Sequence, residues 1–278
     1  MEKTVTVAGL GLMGGSIAMA IHERTDCAVY GWNRTLSVAQ KALDDGVLDG
    51  IADDKILSET DLLIVSLYPE STVRFILDKL PVLKEGCLIV DLVGIKQYLV
   101  ERLEKPCHEA GVHYIGGHPM AGREFSGYAF ASASLYEGAS MILVPTESSP
   151  LWAVDELDGF FRQLGFGTVV RCPAAQHDRM IAFTSQLAHV VSSAYIKSPE
   201  AVRHNGFSAG SYKDLTRVAK LNEVMWTELF LLNKGPLVNE IDEIIRHLTE
   251  YRDAIAGGKE EELRQLLKEG REIKESIG

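Results

Sequence analysis

The run Gly116-Gly117-His118-Pro119-Met120-Ala121-Gly122-Arg123-Glu124 sets one imidazole among glycines and against a proline. A neutral imidazole accepts a proton or a hydrogen bond near pH 7, and glycines let backbone approach a ligand closely. Pro119 narrows the backbone choices of His118, because the residue before a proline is held out of the helical region. The run therefore reads as a glycine-rich loop that presents His118 as an acceptor. A histidine beside glycines is by itself commonly an ordinary turn residue, so its meaning depends on what the rest of the chain brings to it.

A second constellation opens the chain. The β-rich residues 4–8 run into Gly9-Leu10-Gly11-Leu12-Met13-Gly14, and residues 16–21 follow with a helical pattern. Strand, glycine turn and helix in this order form a dinucleotide fingerprint. Gly9 permits the tight turn, Gly11 lets a pyrophosphate reach the backbone, and Gly14 lets the helix lie close to the strand with its N-terminus toward the phosphates. Leu12 and Met13, in the first helical turn, are assigned to the same cofactor. The next strand, residues 28–32, ends in Asn33-Arg34-Thr35, where a carboxylate would receive the ribose hydroxyls of NAD. Asn33 and Thr35 donate hydrogen bonds and Arg34 offers a planar cationic fork, a set suited to a 2′-phosphate. NADP is expected as the cofactor, with NAD as the alternative.

These residues need a scaffold. Residues 62–67 and 87–91 are continuous apolar runs, as parallel strands covered on both faces require. Helical segments at 38–43, 71–80 and 97–105 supply crossovers, and residues 112–115, 141–144 and 168–170 extend the sheet. Ligands collect at the carboxyl ends of such strands. Ser66 and Leu67, the stretch from Asp91 through Gly94 to Lys96, and the His118 run should thus converge on one crevice at the nicotinamide end. After about Arg171 the strands give way to helical patterns. The expected fold is α/β, a Rossmann-type doubly wound and mostly parallel sheet in residues 1–171, followed by an all-helical domain in residues 172–278.

In that second part, residues 177–196 put Ser185 and His189 four apart on one helical face. Arg217 sits at an expected helix start, where its fork suits a carboxylate. Leu237, Ile241, Ile244, Ile245 and Leu248 form an apolar stripe, and residues 259–276 are highly charged with a few leucines. Several amphipathic helices in a small domain make a ready dimer surface.

The chain has 278 residues, 46% of them hydrophobic, and a net charge of −11, which argues against nucleic acid or an anionic membrane as a partner. Cys27, Cys87, Cys107 and Cys172 are scattered without metal-ligand spacing, so no metal is expected. With no apolar run long enough to span a bilayer and no secretory signal pattern, a cytoplasmic protein is expected.

Taken together, Gly9 to Ser16, Gly117-His118-Pro119-Met120-Ala121-Gly122 with Glu124 and Gly127, His177-Asp178 with Ser185 and His189, and Thr216-Arg217-Val218-Ala219 with Trp226 resemble the prephenate/arogenate dehydrogenase family over nearly the whole chain. The resemblance implies oxidative decarboxylation of prephenate, or of its amino counterpart arogenate, on the route to tyrosine. His118 matches the catalytic histidine and Arg217 the arginine that binds a substrate carboxylate; Ser185, His189 and Trp226 match other substrate-pocket positions. Two departures stand out. The family's Asp-x-Gly-Ser-x-Lys pattern reads Asp91-Leu92-Val93-Gly94-Ile95-Lys96, so any hydroxyl contact to His118 or the nicotinamide must come from elsewhere, such as water or Ser66. Arg123 stands where threonine is frequent; it is assigned with Glu124 to the substrate side, either pairing with Glu124 or reaching the substrate. Two other readings are a β-hydroxyacid dehydrogenase, which would use a lysine such as Lys220 or Lys234, and a sensor that keeps the cofactor fold without turnover.

Overall fold

The computed structural model describes residues 3–122 and 125–278. Eight strands form one sheet: β1 (Thr4–Ala8), β2 (Ala28–Trp32), β3 (Gly50–Ile51), β4 (Leu62–Val65), β5 (Leu88–Asp91), β6 (His113–Pro119), β7 (Ser140–Val144) and β8 (Thr168–Arg171). Their order across the sheet is β3-β2-β1-β4-β5-β6-β7-β8. The first six follow the doubly wound order, with the switch point between β1 and β4. All neighbours are parallel except β6 and β7.

Helices α1 (Leu12–Arg24), α2 (Leu36–Asp44), α3 (Asp54–Leu57), α4 (Pro69–Lys79), α5 (Gln97–Glu109) and α6 (Leu151–Gln163) accompany the sheet. They divide the apolar interior into two layers. Val5, Val7, Ile64 and Val90 face α1 and α6, while Leu63, Val65 and Ile89 face α4 and α5. Continuous burial along β4 and β5 explains why those runs are apolar up to Asp91 at the end of β5.

The remaining chain is helical: α7 (Ala174–Ile181), α8 (Leu187–Tyr195), α9 (Gly210–Thr216), α10 (Glu223–Leu232), α11 (Lys234–Ala256) and α12 (Glu260–Ile277). Residues 177–196 do not form one regular helix. A π-helical turn, Ala182–Gln186, separates α7 from α8, and such turns concentrate at functional positions. None of the helices among the described residues is long and apolar enough to cross a membrane.

Two carboxylates seat these helices on the sheet layer. Asp178 accepts the Lys96 and Gln97 backbone N–H groups at 2.7 and 2.9 Å, and Glu228 accepts that of Glu70 at 2.9 Å. The first turns of α5 and α4 carry free donors and a positive dipole end, so an acid from a neighbouring element satisfies both at once. Asn233 completes the joint, donating to the Asp178 carbonyl at 2.9 Å and to Gln186 Oε1 at 2.8 Å.

Candidate active site

The cofactor cleft opens at the switch point. Gly9 has φ 93°, and a Cβ there would stand 2.3 Å from the Ser66 carbonyl oxygen. A Cβ on Gly14 would stand 1.9 Å from the Gly9 carbonyl oxygen, whereas one on Gly11 would meet nothing within 4 Å. Two glycines thus close the turn against the protein and the third leaves a face open. Gly11 is the N-cap of α1 and gives it no side-chain cap, and no acidic residue occupies the first turn. The N–H groups of Leu12 and Met13 remain suited to an anion. Gly11, Asn33, Arg34, Thr35, Ser66 and Leu67 line one cavity of about 610 Å³, together with Arg74 and Lys79 from α4. The cradle fits a pyridine nucleotide.

Asn33 is held by hydrogen bonds within the protein. Its Oδ1 accepts the Leu10 N–H at 3.0 Å and its amide donates to the Thr35 carbonyl at 3.0 Å. It shapes the glycine turn, and Arg34 is exposed on the same cavity wall.

His118 lies on a strand, not in a loop. The first half of β6 pairs with β5, and the second half runs antiparallel to β7, with His118 opposite Ile142 and Pro119 opposite Met141. Gly116 and Gly117 serve packing: a Cβ on Gly117 would stand 2.5 Å from the Asp91 carbonyl oxygen, and one on Gly116 would stand 2.8 Å from Lys96 Cδ. They face protein and not an open space.

That ring is half-buried at the sheet's carboxyl edge. Desolvation, reinforced by the neighbouring His177 and by the Lys96 charge, holds its pKa well below the ordinary 6.5. A Cβ on Gly94 would lie 3.7 Å from His118 Nε2 and 3.8 Å from Leu229 on α10. The departure at Gly94 therefore leaves Nε2 with room and no serine beside it. Ser66, one candidate for that contact, sits against Gly9 and Gly14. The partner is instead His177, whose Nε2 is 2.9 Å from His118 Nδ1. His177 Nδ1 in turn meets Asp178 Oδ1 at 2.7 Å. His177 and Asp178 were visible in the sequence as an adjacent pair, but nothing local showed that they stand behind His118.

Under this row lies a second buried group missed by sequence reasoning. Lys96 and Asp91 are both fully buried and bonded at 2.5 Å, and Asp91 also accepts from Tyr114 Oη and the Val93 N–H, each at 2.8 Å.

On the helical side, His189 and Trp226 stack with centroids 3.8 Å apart and planes 30° apart. His189 Nδ1 is 2.9 Å from the Ser185 carbonyl, so Ser185 orients the ring through its backbone and not its hydroxyl. Desolvation lowers the His189 pKa, the Ser185 contact opposes this, and the Arg217 charge lowers it further. Arg217 is exposed where α9 ends, as the first residue of the 3-10 turn Arg217–Ala219. Histidine, tryptophan and guanidinium thus gather on one side. Arg123 and Glu124 lie outside the described residues.

Family models match the chain in two consecutive parts: residues 17–170 match the nucleotide-binding domain of prephenate dehydrogenase, and residues 173–269 its dimerization domain. The chain belongs to the prephenate dehydrogenase family. It is 30% identical to a prephenate dehydrogenase of Lactococcus lactis over 99% of this chain and 77% of that protein. A Bacillus subtilis prephenate dehydrogenase is 29% identical over 100% and 76%. A solved prephenate dehydrogenase of Aquifex aeolicus, in complex with hydroxyphenyl propionate and NAD⁺, superimposes with a TM-score of 0.89 at 27% identity, covering 100% of this chain and 99% of that one. Membership makes the chain a pyridine-nucleotide-dependent oxidoreductase acting on a small molecule, and it sets aside both the β-hydroxyacid dehydrogenase and the lapsed-sensor readings. Lys220 and Lys234, which the former would require, are exposed.

Proposed function

We propose that the chain catalyses oxidative decarboxylation of prephenate to 4-hydroxyphenylpyruvate and carbon dioxide, with arogenate as the alternative substrate and NADP as the preferred cofactor. The observation that carries this reading is the His118 imidazole, held below its ordinary pKa chiefly by desolvation, with its Nε2 on the side that Gly94 leaves without a side chain. A bound nicotinamide supplies the two-electron acceptor for the hydrogen leaving substrate C4. His118 takes the C4 hydroxyl proton as C4 becomes a carbonyl carbon. The ring carboxylate then leaves as carbon dioxide, its bonding pair enters the ring, and the phenolate oxygen recovers the proton from His118. No proton has to leave the site. Aromatisation drives the second step, so the protein has chiefly to orient C4 and hold one proton.

Arg217 clamps a substrate carboxylate, and His189 with Trp226 forms a flat wall for the ring. Arg217→Ala is expected to raise KM roughly ten- to a hundred-fold with a smaller change in kcat, the loss of one charge-assisted contact made in ground and transition states alike. An unchanged KM in steady-state assays would remove Arg217 from the substrate site.

Arg34, with Arg74 on the same cavity wall, supports NADP; Lys79, the next cation, is bonded to Asp54 at 3.0 Å. The test is to incubate the pure protein with prephenate or arogenate and either nucleotide, following reduced cofactor and carbon dioxide. NADP is expected to give the higher kcat/KM, and Arg34→Ala to erase that preference. A preference for NAD by the unaltered protein would overturn the cofactor assignment, and absence of turnover with either substrate the whole reading.

The same proposal divides the chain into a dinucleotide-binding domain, residues 1–171, and a substrate and dimerisation domain, residues 172–278. Exposed Ile245, Leu248 and Ile255 on α11 with Leu267 and Ile273 on α12 support pairing of two copies there. All four cysteines are free, which suits a reducing cytoplasm.

A further inference from the structure

The groups behind His118 determine which of its ring nitrogens is bare. Asp178 accepts Lys96 N–H at Oδ1 and Gln97 N–H at Oδ2, so its carboxylate closes the N-terminus of α5 and offers only lone pairs to any other neighbour. His177 Nδ1, 2.7 Å from Oδ1, must therefore carry a proton. Desolvation holds His177 below the ordinary imidazole pKa against the pull of Asp178, so the ring carries one proton and its Nε2 is a lone pair. A contact of 2.9 Å between that lone pair and His118 Nδ1 needs a hydrogen, which His118 supplies. His118 is neutral as well. It has no second proton, and Nε2, on the Gly94 side, is unprotonated.

We propose that His177 and Asp178 are positioning residues that lock His118 in its Nδ1–H tautomer, presenting Nε2 to the substrate hydroxyl as a lone pair. The inference rests on the reading of His118 as the proton acceptor. While His118 holds the proton, an O–H bond has been exchanged for an Nε2–H bond and the ring is a cation. Its Nδ1–H stays bonded to His177, and the Asp178 charge, acting through His177, stabilises that cation against the nearby Lys96 charge. When the phenolate recovers the proton, the original tautomer returns, with nothing passed on to His177 or Asp178. The arrangement substitutes for the missing serine: the acceptor is oriented from behind, by two side chains of α7, and needs no hydroxyl in front.

Two measurements test this. Long-range ¹H–¹⁵N correlation spectra of the labelled protein without substrate, with His118 signals identified by their loss in His118→Asn, should show Nδ1 protonated and Nε2 of the unprotonated type. The opposite tautomer overturns the inference regardless of any variant's folding. In kinetics, His177→Leu removes the acceptor and frees His118 to turn its proton toward substrate. It is expected to lower kcat by roughly a hundred-fold or more with KM within about three-fold, as wrong-tautomer variants of hydrogen-bonded catalytic histidines do. His177→Gln restores an acceptor oxygen for His118 Nδ1–H and should recover at least about ten-fold of that loss. Equal losses in both variants, or wild-type kcat in His177→Leu, overturn the proposal. If the proposed activity is wrong, the unaltered protein shows the expected tautomer and no turnover; if the positioning role is wrong, it turns over with the tautomer reversed or with His177 dispensable.

Discussion

His118→Asn is expected to lower kcat by roughly 10² to 10⁴ fold while KM stays within a few-fold of wild type. Asparagine occupies similar space and can hydrogen-bond both His177 and a substrate hydroxyl, so the bound geometry survives. It cannot hold a proton, and the proton must be held from the moment C4 loses its hydrogen until the ring is aromatic. The loss therefore falls on the transition state and not on binding, which Arg217, His189 and Trp226 are proposed to supply. The pH dependence follows from the same group. Burial lowers the His118 pKa well below 6.5, so the neutral, active form predominates at neutral pH and is lost only as pH falls through the lowered value. The acid limb of log kcat/KM in the wild type should lie below 6.5, and it should disappear from the residual activity of His118→Asn. Wild-type kcat in the variant would take the proton from His118 altogether.

The parts of the site that sequence revealed are those whose physics is local. Gly9, Gly11 and Gly14 sit within one turn between one strand and one helix, and the residue types needed there follow from the turn itself. Gly116 and Gly117 use the same residue type for a reason that no local pattern carries. Their missing side chains make room for the Asp91 carbonyl and the Lys96 stem, which belong to the neighbouring strand and the turn after it. A glycine pair reads as a loop until that neighbour is known, and so His118 was expected on one. The His177–Asp178 pair shows the same limit. Its adjacency is plain in the sequence, but its contact with His118 spans 59 positions. The one local signal was that adjacency, an acid one residue after a histidine; the packing of its helix onto the N-terminus of α5, which gives the acid its donors, is set by tertiary structure. The π turn at Ala182–Gln186 has no such signal, since periodicity averages over one inserted residue.

Asp91 was legible as a strand end but not as the centre of a buried charge pair, and removing it should have the largest effect on stability. Asp91→Ala leaves the Lys96 amine enclosed, with its hydrogen-bonded counter-ion gone and the Tyr114 hydroxyl and Val93 N–H without their acceptor. Breaking one half of such a pair costs about 3–5 kcal/mol, which for a chain of this size is a fall of roughly 10 °C in Tm. Replacing both partners, as in Asp91→Leu with Lys96→Met, should cost less than the single change, because no uncompensated charge remains. The sign with pH separates this cause from simple loss of packing. Burial already lowers the Lys96 pKa from 10.5, opposed by Asp91; without Asp91 the folded value drops further while the unfolded one does not. Above 10.5 neither state holds the proton and the penalty vanishes. It grows as pH falls through the window between the two values, so thermal melts of Asp91→Ala should approach wild type at alkaline pH and diverge toward neutrality. A deficit independent of pH would mean that Lys96 sheds no proton in the variant and that Asp91 acts only by filling space. The pair also bears on catalysis. Lys96 is the N-cap of α5, whose first N–H groups hold Asp178, so loosening Lys96 loosens the carboxylate that orients His177. Asp91→Ala should therefore lower kcat even at temperatures where the variant remains folded.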